Sequence, residues 1–76
     1  MDTYLKLKYR LEAHSQPGRT ITVYATVADY RNQDLAHAHP QLTDFQPDEM
    51  LIVVNQHQHL HFYHADEATT LLHKLA

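Results

Sequence analysis

The sequence predicts one α+β domain spanning residues 1–76, in ββαββα order, with a four-stranded antiparallel sheet and two helices on one face. Three observations point there. Apolar and polar residues alternate with period two in the first third of the chain. Two further strand-like runs flank a polar turn after residue 50. An apolar stripe at helical spacing closes the sequence.

Over residues 3–14, Leu5, Leu7, Tyr9, Leu11 and Ala13 alternate with Tyr4, Lys6, Lys8, Arg10 and Glu12, the pattern of a half-buried strand. Ser15-Gln16-Pro17-Gly18 is a turn, because proline presets φ and glycine supplies a positive one. Residues 19–27 alternate again, with Ile21, Val23, Ala25 and Val27 inward. The two runs read as a hairpin with Gly18 as its bulge residue. Asp29 or Asn32 would cap a short helix reaching about His37, with Leu35, Ala36 and His39 toward the sheet. Pro40 ends it, and residues 40–49 form a loop whose Leu42 and Phe45 plug the edge of the core.

Residues 50–54 are a short apolar strand, Asn55-Gln56-His57-Gln58 its turn, and His59 to His64 the return strand. This pairs Val53 with Leu60 and Leu51 with Phe62 on the core face. Asp66 caps a final helix through Leu75, and Ala68, Leu71, Leu72 and Leu75 form its apolar stripe.

Composition removes several function classes. With 76 residues and no cysteine, the chain has a marginal core, no disulfide, no thiolate nucleophile and no thiolate zinc site. One glycine rules out a glycine-rich phosphate loop. Ser15, the only serine, sits in a turn beside His14, a poor geometry for a nucleophile and its base. The opening residues lack a signal-peptide pattern, and the longest apolar run, Met50 to Val54, is far too short to span a membrane. The expectation is a cytoplasmic protein that is not an enzyme. Net charge is −3 with the isoelectric point near 6.2, in the range where histidines titrate, so protonating all eight would reverse the sign.

Three surfaces are candidates for function. The first is the outer face of the second hairpin, where Ile52, Val54 and Tyr63 beside His59 and His61 are too apolar to be left in water. A second copy of the chain would cover them; otherwise a helix or the 40–49 loop folds over them. The second is a metal set of His57, His59, His61 and His64, with His37, His39 and Asp66 within reach of the pattern. It would bind zinc or nickel weakly, or report pH, although the turn removes His57 from the ladder. The third is the outer face of the first hairpin, where Tyr4, Lys6, Lys8, Arg10 and Tyr24 would stack bases and hold phosphates of a single strand. Negative net charge and the absence of an RNP-like aromatic motif weigh against it. The expected function is a non-enzymatic interaction module without a resident cofactor, a homodimer binding protein partners through a sheet face. Metal or pH-responsive binding and nucleic-acid binding are the alternatives.

Overall fold

The segment over residues 3–14, whose alternation predicts a strand, forms a helix through Glu12 instead. In the computed structural model, which describes residues 2–32 and 40–75, helix α1 runs over Asp2–Glu12. The physical reason lies in residue type. No residue from Tyr4 to Glu12 is β-branched, and Leu, Lys, Arg and Glu are strong helix formers. Tyr4, Leu7 and Leu11 also fall at i, i+3 and i+7, and all three join one core. Lys8 and Glu12 add an i,i+4 ion pair at 2.8 Å. The alternating set therefore splits: Leu7 and Leu11 go inward, while Leu5, Tyr9 and Ala13 face out.

The Pro17-Gly18 turn is where the sequence puts it, but it joins a helix to a strand. Gln16 and Arg19 exchange backbone hydrogen bonds of 2.8 and 2.9 Å, and Gly18 has φ 85°, as a type II turn requires. The Arg19 guanidinium donates to the His14 carbonyl at 3.0 Å, satisfying an acceptor just past the end of α1.

Strand β1 spans Arg19–Tyr24, shorter than the predicted 19–27. Thr26, not Asp29 or Asn32, caps the next helix: its hydroxyl accepts from the Asp29 N–H at 3.1 Å, and α2 runs over Val27–Arg31 with Asn32 at its C-terminal end. The expected extension to His37, and the inward positions of Leu35, Ala36 and His39, lie outside the described residues. Pro40–Asp44 is a short 3-10 helix rather than an open loop, and Leu42 and Phe45 are buried as expected.

β2 (Leu51–Gln56) and β3 (His59–His64) complete the sheet, which has three antiparallel strands in the order β1-β2-β3 and not four. The hairpin register differs from the expected one by two residues: Val53 faces Phe62, Leu51 faces His64 and Asn55 faces Leu60. The loop is two residues long, with His57 at φ 51° and Gln58 at φ 70°, the left-handed pair of a type I′ turn. A shift of two preserves which side chains share a face. Gln58→Gly should relieve the left-handed cost and raise stability by about 0.5–1 kcal/mol in chemical denaturation.

Both faces of the sheet are covered by the chain itself. On one, Ile21, Val23, Ile52 and Val54 pack with Leu11 of α1 and with Ala68 and Leu71 of α3 (Ala68–Leu75). On the other, Leu51 and Val53 pack with Val27 and Tyr30 of α2 and with Leu42 and Phe45. Tyr30 makes edge-on contacts with Tyr24 at 5.1 Å and Phe62 at 5.6 Å. The expected arrangement, helices on one side only, is thus replaced by three layers. The C-terminal stripe is as expected, but a 3-10 turn over Ala65–Glu67 precedes α3, and the exposed Asp66 does not cap it.

The free edge of β1 is closed by side chains from α1 and the turn that follows. The Ser15 hydroxyl accepts from Ile21 N–H at 2.9 Å and lies 3.2 Å from its carbonyl. Glu12 accepts from Val23 N–H at 3.0 Å. Such bonds block edge-to-edge pairing with another strand. Burial alone would raise the Glu12 pKa; the bonds from Lys8 and Val23 N–H outweigh it and hold the carboxyl below the usual range.

Candidate functional site

The histidines do not converge. His57 sits in the turn. His59 and His61 are exposed and share the face of Ile52 and Val54, whereas His64 lies on the other face, opposite Leu51. Among the described residues, no group of three or more His, Asp or Glu could hold a metal ion. His37 and His39 lie outside the described residues.

One histidine does enter a defined polar network. His64 Nδ1 lies 2.6 Å from Glu49 Oε1, and its ring stacks on Phe45 with centroids 3.9 Å apart and planes 8° from parallel. Glu49 is a hub: its other oxygen accepts from Gln46 N–H at 2.6 Å, and its backbone carbonyl accepts from Val27 N–H at 2.8 Å. The network therefore ties the first turn of α2 to the end of β3. The hydrogen bond to Glu49 raises the His64 pKa against its partial desolvation, and the charges of Glu49, Glu67 and Asp66 add to the rise. Glu49 is lowered, first by the Gln46 N–H and then by His64.

The sign of the pH dependence follows. A raised histidine pKa stabilises fully below its ordinary value of 6.5 and loses that contribution as pH rises through the folded value. A lowered glutamate pKa stabilises above 4.5 and fails as pH falls through the folded value. Wild type should thus lose stability relative to His64→Gln as pH rises from 6.5 through the raised folded value, by under about 1 kcal/mol because the pair is partly in water. Melting curves of the two proteins across that range check this.

The expected interface patch is covered from within. Ile52 is 0% and Val54 4% exposed, beneath α1 and α3, and Tyr63 packs at the margin of the same core. This is the case in which a helix of the chain folds over the patch, and the reason for a second copy there falls away. The basic sheet face is also dispersed, because four of its five residues ride on α1 and only Tyr24 on β1. Tyr4 turns to the core, Lys8 pairs with Glu12, Tyr24 contacts Tyr30, and Lys6 and Arg10 point outward.

What the helix creates in exchange is a surface that the alternation hid. Leu5 is 42% and Tyr9 69% exposed, on the outer side of α1. Leu5, Tyr9 and Ala13 follow one i,i+4 row, and Lys6 and Arg10 follow the next. The readable signal was the fit of Tyr4, Leu7 and Leu11 to a helical stripe, which leaves the remaining residues outside.

Two depressions lie on the surface of the described residues. One, of ≈ 110 Å³, lies between β3 and α3, lined by Tyr63, Glu67, Thr70, Leu71 and Lys74. The other, of ≈ 320 Å³, is an open polar cleft beside Gly18, Thr20, Asn55, His57 and Gln58. The first is well below the size of a drug-like ligand site, and the second has no large apolar side chain in its lining. No helix among the described residues is long and apolar enough to cross a membrane. No known protein family, curated protein or solved structure matches the chain.

Proposed function

We propose that this chain is a non-enzymatic protein-interaction module that binds its partners through the outer face of α1 rather than through the sheet. One observation carries the reading: Leu5 and Tyr9, the exposed large apolar side chains among the described residues, are neighbours on one helix face beside Lys6 and Arg10. Single exposed apolar residues are ordinary, but an adjacent pair with a large aromatic and flanking arginine has the composition of an interface centre. The rest of the fold supports this use. Both sheet faces and the outer edge of β1 are occupied internally, so α1 is held rigidly with its other side outward.

Panning a random 16-residue peptide display library on the full chain tests this. Binders should map to α1 and fail on the Leu5→Glu, Tyr9→Glu double variant, which keeps the wild-type melting curve because both side chains point outward. Binders that hold the double variant undiminished would contradict the reading.

A further inference from the structure

We infer that the occupant of the α1 face is an acidic amphipathic helix of a partner protein, not a second copy of this chain. The inference rests on the interaction-module reading and adds the chemistry of the partner.

The geometry favours a helix. The row Leu5–Tyr9–Ala13 is a ridge of i±4 positions, and Lys6–Arg10 is a second ridge beside it. A partner helix laid in the groove between them places apolar side chains on Leu5 and Tyr9. The residues on its other flank then face Lys6 and Arg10.

Charge decides the sign of that flank. Three of the six basic residues of the chain lie on α1. Lys8 is neutralised by Glu12, leaving Lys6 and Arg10 exposed on a protein whose net charge is −3. Carboxylates on the partner would complete both, with Arg10 able to take one in bidentate fashion.

The same charges oppose a second copy. In an antiparallel symmetric pair of α1 helices, the Lys6–Arg10 rows meet each other. In a parallel pair, each basic row meets the apolar Leu5–Tyr9 row of its mate. An antiparallel pair offers the basic row at most the Asp2 that heads it, with Lys6 set against Lys6, and a parallel pair offers no carboxylate, whereas an acidic partner helix meets both Lys6 and Arg10. An anionic lipid surface offers the required sign, but two basic and two large apolar residues on a net-negative chain give it little hold.

The test uses three synthetic 18-residue helical peptides with Leu on one stripe, differing only in carrying Glu, Gln or Lys beside it. Each is titrated into the full-length protein, with amide chemical shifts read by NMR. The Glu peptide should shift residues 5–13 and bind about tenfold more tightly than the Gln peptide, an advantage that shrinks with salt. Lys6→Glu with Arg10→Glu should reverse the order, so that the Lys peptide binds best. Equal binding of the Glu and Gln peptides at α1 overturns the acidic partner and leaves the interaction module standing. Failure of all three at α1 overturns both. A dimer in sedimentation equilibrium that Leu5→Glu with Tyr9→Glu dissociates, or binding to phosphatidylserine vesicles tighter than to the Glu peptide, also overturns the inference.

Discussion

Leu11→Ala should lower the stability of this protein by about 3 kcal/mol, while Tyr9→Ala changes it by less than about 0.5 kcal/mol. Leu11 is fully buried against Ile21, Val23, Ile52 and Val54, whereas Tyr9 is 69% exposed. On a strand the two would share a face and behave alike. On α1 they lie on opposite sides, two residues and about 200° apart. The cost at Leu11 combines lost transfer energy with a cavity between the helix and the sheet. A domain of this size holds on the order of 5 kcal/mol, so Leu11→Ala consumes most of it. Urea denaturation of both variants gives the comparison directly.

Leu51→Ala and Ile52→Ala should each cost about 2–4 kcal/mol, although the two residues are neighbours on one strand. Their side chains point to opposite faces of β2, and each is 0% exposed. Leu51 packs under Val27, Tyr30, Leu42 and Phe45; Ile52 packs under Leu11, Ala68 and Leu71. A sheet with one face in water would tolerate one of the two. Equal sensitivity is the energetic signature of three layers, and an Ile52→Ala variant as stable as wild type would remove α1 or α3 from that face.

The legible parts of the fold are those where one physical signal acts alone. The final apolar stripe, the Pro17-Gly18 turn, the apolar run from Leu51 and the partition of the second hairpin into two faces all read correctly. The error at residues 3–14 arose where two periods fit the same letters. Leu5, Leu7, Tyr9 and Leu11 satisfy period two, and Tyr4, Leu7 and Leu11 satisfy a helix. Lack of β-branching settles the contest for the helix, and alternation by itself carries no such information. That single misassignment propagates. With α1 counted as a strand, the sheet has four members and one open face, so Ile52 and Val54 need a cover from a second copy, a helix or the 40–49 loop. With α1 as a helix, they are covered by it and α3, and the exposed apolar surface moves to Leu5 and Tyr9. The Thr26 cap and the Glu49–His64 tie were not legible, because both depend on partners fixed only by the tertiary fold.

The covered sheet and the outward Leu5–Tyr9 row both follow from the coiling of residues 3–12 into a helix. Backbone NMR assignment of the intact protein measures this residue by residue. Helical Cα and Cβ secondary shifts with strong sequential amide–amide contacts from Thr3 to Glu12 are the expected result. Extended shifts with cross-strand contacts between this segment and Arg19–Tyr24 would contradict it, restoring a fourth strand and reopening the face of Ile52 and Val54.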